Sequence, residues 1–203
     1  MKKKLLRFEA SLLTALIICC CLNITAFSGQ CDEIRSKMLR MHVIANSDSE
    51  SDQNLKLKVR NAVLEAGKEV FDGSVTASDA KERIIPQIDK LESAALDVIE
   101  SEGYSYDVKI TVSDEYFPTR TYDNSVTLPA GVYTAVKVVI GEGKGHNWWC
   151  VMFPPMCLPA ADAECGIDDV LTEEESRIVK GGDKYKIKFK IVEIYEDIFK
   201  REK

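Results

Sequence analysis

Two histidines and a late cluster of cysteines are the residues of this 203-residue chain whose types could support metal binding or nucleophilic catalysis. His146, Cys150, Cys157 and Cys165 are zinc-ligand types. They lack, however, the closely spaced cysteine pair that makes a zinc motif specific. A cysteine nucleophile needs a histidine within hydrogen-bond reach, and His146 and Cys150 could meet only through a special loop geometry. His42 falls in the middle of an alternating apolar run and reads as a strand residue. The 33 acidic side chains offer many carboxylate pairs, which makes any one pair uninformative for glycoside hydrolysis. Gly141, Gly143 and Gly145 superficially suggest a phosphate loop, but the Lys-Ser/Thr end of that motif is missing and the segment joins strand to strand. Asn46, Ser47 and Asp48 could approach a cation, yet no further acidic ligand follows at EF-hand spacing. The sequence therefore predicts no catalytic residue, no metal and no cofactor.

The periodicity that must position these residues changes along the chain. Leu39 to Ile44 alternates as a strand. Asn46 to Ser49 ends it with turn and cap formers, and Ser49 with Asp52 marks a helix start. Leu55, Val59, Ala62, Val63, Ala66 and Val70 then form an apolar helical stripe, with Gly73 closing the helix. A second helix starts near Thr76 or Ser78, carries Ile84, Ile88, Leu91, Ala95 and Val98 on one face, is interrupted at Pro86, and ends at Gly103. From Tyr106 the period becomes two. Strands are predicted at Tyr106–Val112, Phe117–Tyr122, Tyr133–Ile140 and Trp148–Phe153, with Gly141–His146 as a hairpin connection between the last two. A short helix within 168–179, a final strand through Tyr185, Ile187, Phe189 and Ile191, and a terminal helix over 193–200 complete the reading. Early helices and late strands predict an α+β fold: a mainly antiparallel sheet with two N-terminal helices packed on one face.

The first residues have the order of an export signal. Lys2, Lys3, Lys4 and Arg7 precede an apolar run from Leu12 to Leu22 and small residues around Thr25 and Ala26. A cut after Ala26 makes 1–26 a signal peptide and 27–203 a single secreted domain; the rival reading keeps the segment as a membrane anchor. The full chain carries a net charge of −6, and the cut would remove four basic side chains and one acidic one. An acidic product of this kind is a poor binder of nucleic acid or anionic surfaces. Outside the cytoplasm Cys150 and Cys157 are either a disulfide, worth roughly 2.5 kcal/mol in the chain-entropy model, or buried thiols.

Both tryptophans and two prolines gather in Asn147-Trp148-Trp149-Cys150-Val151-Met152-Phe153-Pro154-Pro155-Met156-Cys157, an apolar strand running into a rigid corner. This motif resembles the stage II sporulation protein R family. So do Leu39-Arg40-Met41-His42-Val43-Ile44-Ala45-Asn46-Ser47-Asp48-Ser49 with Asp52-Gln53 behind it, Phe117-Pro118-Thr119, Tyr122, and Pro129-Ala130-Gly131 with Tyr133, Ala135 and Val136. The resemblance implies a secreted signalling protein, made in a forespore and exported across its membrane into the intermembrane space. It implies as partner a membrane-embedded aspartic protease of the mother cell, activated to process the precursor of mother-cell sigma factor E. It implies neither a small-molecule substrate nor catalytic residues. Contact residues are looked for first at Trp148, Trp149, Pro154 and Pro155, then at Asn46, Ser47 and Asp48. The alternative is an exported hydrolase acting on cell wall or peptide.

Overall fold

A computed structural model describes residues 2–72, 74–122, 125–156 and 166–199. Strand β1 (Leu39–Ile44) forms where the alternation predicted it. Beside it lie β5 (Gly131–Ile140), β6 (Asn147–Phe153) and β2 (Val108–Phe117), in the order β2-β5-β1-β6. β1 is antiparallel to β6 and β2 is antiparallel to β5, but β1 runs parallel to β5. The sheet is thus mixed: two of its three pairings are antiparallel, as expected, and the central one is parallel. The reason is the long helical excursion after β1, which lets it return between two strands that are neighbours in sequence; parallel pairing requires such a crossover. Consequently β5 and β6 do not form the expected hairpin, and their glycine-rich connection passes over the end of β1.

The strand expected over Phe117–Tyr122 is divided. Phe117 ends β2, and after Pro118 the segment β3 (Arg120–Tyr122) pairs with β4 (Val126–Leu128) in a separate ribbon. Proline cannot donate to a ladder, which fits a break at that point.

Helix α2 (Glu50–Asp72) carries Leu55, Val59, Val63 and Val70 into the core, as its stripe predicted. Gly73 lies outside the described residues. Helix α3 (Ala77–Ile84) begins at Thr76, whose hydroxyl accepts from the Asp79 amide. Pro86 sits in a 3-10 turn that separates α3 from α4 (Ile88–Ser101). These helices cover the sheet face that presents Met41, Val43, Val136, Val138 and Met152.

The other face is covered too, which the sequence reading did not anticipate. Helix α1 (Lys2–Ser36) buries Phe27, Cys31 and Ile34 against Phe117, Tyr133, Ala135 and Val151. Helices α5 (Ile167–Val170), α6 (Glu173–Lys180) and α7 (Asp183–Phe199) complete this second layer through Leu171, Ile178, Phe189 and Val192. The predicted final strand is therefore the first half of α7. Its alternation of lysine with apolar residues satisfies a period of two, but Tyr185, Phe189, Val192 and Glu196 also satisfy a helical period. Packing against Phe27 of α1 decides between them: Phe189 is 1% exposed while Ile187 is 74% exposed.

The apolar part of α1 is continuous with the part in the core. An 18-residue window of this helix has a mean hydropathy of 2.2 and is almost unburied, so the helix is long and apolar enough to cross a membrane. Ala26, the predicted cleavage point, lies inside this unbroken helix.

Candidate functional site

Alternation along each strand sends Arg40 and His42 to the second sheet face, opposite Met41 and Val43. On that face every strand shows the same gradient. On β5, Tyr133 and Ala135 are buried, while Lys137 and Val139 are half-buried. On β2, Phe117 is buried and Glu115, Ser113 and Thr111 are half-buried. β6 passes from buried Val151 through half-buried Trp149 to exposed Asn147. Helices α1, α6 and α7 cover one end of this face, and among the described residues nothing covers the other.

At the covered end lies Arg40, fully buried. Its guanidinium carbon is 4.2 Å from the Phe117 ring centroid, 4.7 Å from that of Tyr133 and 5.6 Å from that of Tyr122. Nε donates to the Cys150 carbonyl at 2.9 Å and Nη2 to the Tyr122 hydroxyl at 2.5 Å. Nη1 has no hydrogen-bond partner, and among the described residues no carboxylate pairs with Arg40. Three π faces hold this cation where a counter-ion would be expected. The same rings are pinned in turn: the Tyr133 hydroxyl donates to the Pro129 carbonyl at 2.6 Å, and burial pushes its pKa upward.

At the open end, His42 is stacked under Trp149 with centroids 4.1 Å apart, and Phe117 meets Trp149 edge-on at 4.9 Å. His42 Nε2 contacts Asn147 Oδ1 at 2.9 Å; since that oxygen can only accept, Nε2 carries the proton. Nδ1 lies 3.6 Å from Glu115 Oε2, too far for a hydrogen bond. Burial lowers the His42 pKa more than the Asn147 bond and the Glu115 charge raise it, so the ring is neutral at neutral pH. Glu115 is penalised by burial, but the Lys137 ammonium at 3.0 Å and the Ser113 hydroxyl outweigh this and hold its pKa below the usual carboxylate value. The result is an ionised Glu115–Lys137 pair beside a half-exposed indole. The Ser113 hydroxyl donates to Glu115 Oε1 at 3.1 Å.

The second predicted contact region is used internally. Asn46 Nδ2 and Ser47 Oγ donate to the Asp52 carboxylate at 2.9 and 2.6 Å, and the Ser49 hydroxyl accepts from the Asp52 amide at 3.2 Å, capping α2. Burial raises the Asp52 pKa, yet the bonds from Ser47, Asn46, Tyr106 and Ser49 prevail and the net shift is downward. The glycine-rich crossover is laced onto this turn. Lys144 and Gly145 amides donate to the Asn46 and Ala45 carbonyls at 3.1 and 2.9 Å, and the Glu142 amide donates to Asn46 Oδ1 at 3.0 Å. Asp48 pairs with the His146 ring and amide. Gly141 adopts φ +54°, and a Cβ there would stand 2.4 Å from Asn46 Oδ1. The turn caps a helix, as its residue types suggested, and in addition anchors the loop over β1.

Trp148 and Trp149 point to opposite faces. Trp148 stands over the Arg60 guanidinium of α2, 4.5 Å from its carbon, whereas Trp149 belongs to the open face. Pro154 and Pro155 are buried behind β6, and the Phe153–Pro154 peptide is cis. Cys150 is disulfide-bonded; Cys157 and Cys165 lie outside the described residues. A sulfur in a disulfide is neither a thiolate nucleophile nor a zinc ligand. Among the described residues no group of three or more His, Cys, Asp and Glu side chains could hold a metal ion. Sequence reasoning passed over Arg40, Glu115 and Lys137, because polar residues on an alternating strand read as its solvent side. The aromatic residues at Phe117, Tyr122 and Tyr133 were the available signal that this side is roofed at one end.

Fold and site together define an α+β scaffold that presents a half-open aromatic sheet face. The chain belongs to the stage II sporulation protein R family, whose model matches residues 35–163. Stage II sporulation protein R of Bacillus subtilis (strain 168) is 36% identical over 127 residues, covering 61% of this chain and 55% of that protein. The chain thus spans about half the length of this curated relative. No solved structure matches. The family segment runs from the end of α1 past β6, so the apolar part of α1 and helices α5 to α7 lie outside it.

Proposed function

We propose that the chain is a sporulation signal exported from the forespore, which activates a membrane-embedded aspartic protease of the mother cell and so triggers processing of the sigma factor E precursor. Family membership supports the sporulation role, and the N-terminal apolar helix is compatible with export by a signal peptide or an anchor. The observation that carries the reading is the open half of the second sheet face. There Trp149, Glu115 and Lys137, with His42 buried among them, form a surface that no helix of the described residues covers. Activation by docking requires that the signal bind the active protease better than the inactive form; a shift from 1:99 to 99:1 takes about 5.5 kcal/mol of differential affinity. A half-buried indole on such a face is a suitable hot spot, worth ~2 kcal/mol or more.

The proposed contact set is therefore Trp149 with its polar neighbours, while Trp148, Pro154, Pro155 and the Asn46–Asp48 turn support the scaffold. A Cys150–Cys157 disulfide would tie the end of β6 to the segment beyond it. In cells making the protease, the sigma precursor and variants of this chain, Trp149→Ala and Lys137→Glu are expected to lower precursor processing about 30-fold or more. Trp148→Ala, on the opposite face, leaves it within about twofold. Secreted levels and thermal unfolding control for folding. Full processing by a folded Lys137→Glu together with a folded Trp149→Ala chain removes this face from the contact.

A further inference from the structure

Helix α7 has two apolar faces. Tyr185, Phe189, Val192 and Glu196 face the core, and the last three are each 1% exposed. On the other side Ile187, Ile191, Ile194 and Ile198 recur at helical spacing and are 74%, 37%, 49% and 61% exposed. A buried helix face accounts for the first set and leaves this isoleucine stripe unexplained.

Charge is divided along the same helix. Lys184, Lys186, Lys188 and Lys190 crowd its first half, and Glu193, Glu196 and Asp197 its second. In a chain of net charge −6 this is a local basic patch. It lies where α1 leaves the core. Lys188 sits over the Phe27 ring at 5.2 Å, and a crevice of about 230 Å³ between the helices is lined by Cys20, Asn23 and Ile24 of α1 with Lys188, Ile191 and Val192 of α7. Cys20 already belongs to the exposed apolar run Leu12–Leu22 of the helix that is long and apolar enough to cross a membrane.

We infer that the first half of α7 rests on the anionic lipid surface of the bilayer that α1 enters. Ile187 and Ile191 sit at the headgroup–acyl boundary and the four lysines lie against lipid phosphates. Isoleucine on one side with lysines flanking it is the composition of an interfacial helix, and lysine stems reach past apolar contacts to place the charge at the headgroups. A basic segment next to a membrane helix is the arrangement that anionic lipid attracts. Glu193 and Asp197 lift the second half away, so the helix tilts. A second copy of the chain could also cover the isoleucines. It would not account for all four lysines within α7 lying in the half that adjoins the membrane segment. This inference rests on α1 being inserted, the anchor reading of the N-terminal helix.

The test uses the full chain in vesicles of phosphatidylcholine alone or with phosphatidylglycerol. Flotation scores insertion, and an impermeant amine reagent with mass spectrometry scores each lysine against the exposed Lys58 and Lys90. The expected result is flotation in both mixtures, with Lys184, Lys186, Lys188 and Lys190 reacting about fivefold more slowly only when phosphatidylglycerol is present. Flotation with these four as reactive as Lys58 and Lys90 overturns the inference and leaves the anchor standing. Failure to float removes the anchor and the inference with it. Protection that is equal in both lipids and rises with the protein-to-lipid ratio means a second copy covers the stripe, and also overturns it.

Discussion

Replacing Arg40 with alanine is expected to cost about 3–5 kcal/mol of stability, the larger of two effects that the packing of this chain implies. The substitution empties the centre of a cage formed by Phe117, Tyr122 and Tyr133, and it strands the Cys150 carbonyl and the Tyr122 hydroxyl that now receive its protons. Two opposed terms set the size. Burying a guanidinium without a counter-ion is costly, and three ring faces at 4.2 to 5.6 Å recover part of that cost. If the filled volume dominates, Arg40→Met should stay within about 2 kcal/mol of wild type, since it refills the cage and also removes the desolvation penalty, although it restores neither donor. Thermal unfolding of the detergent-solubilised chain reads both. For a chain of this size the alanine variant should melt roughly 8–16 °C lower. A methionine variant as unstable as the alanine one would mean that the charge and its two hydrogen bonds, not the filled volume, hold the cage.

Gly145→Ala is the second large effect, expected at about 3 kcal/mol. The added Cβ would stand 2.2 Å from the Ser47 carbonyl oxygen, 2.6 Å from its carbon and 2.8 Å from Ala45 Cβ. These are backbone and short side-chain atoms, so relief means moving the crossover off the end of β1. The Gly145–Ala45 and Lys144–Asn46 backbone bonds would then be lost. Gly103→Ala is the useful contrast: its φ of +82° carries a conformational cost, but nothing lies within 4 Å of the added carbon. A loss of only about 1–2 kcal/mol is expected there. Equal losses at the two positions in denaturant titrations would show that the crossover yields easily and is not a fixed lid on β1.

The elements that sequence made legible are those in which one local pattern had one structural solution. Leu39–Ile44 alternates and is short, so it became β1 with the predicted bounds. The Leu55 to Val70 stripe could only be helical, and Pro86 could only interrupt. Asn46 to Asp52 read as a cap and is one. Where two solutions shared a pattern, long-range packing decided. Tyr185 to Ile191 suits strand or helix, and the position of Phe27 makes it helix. No local signal says that β1 inserts between β5 and β6, because pairing partners are chosen by the helices that carry the chain back. The site was half visible. Trp149 was singled out by type, but its separation from Trp148 across the sheet follows from the strand alternation of β6. Glu115 and Lys137 join it only through the pairing of β2 with β5.

The claim at the centre is that this chain acts by contact, from outside the compartment that makes it. Its most direct test is precursor processing in cells that carry the sigma precursor, with the protease and this chain supplied singly and together, and with residues 1–26 either present or removed. Processing should require both proteins and should fall to background when the exported segment is missing. Cleavage by this chain without the protease, or undiminished cleavage when the chain is kept in the cytoplasm, would contradict it.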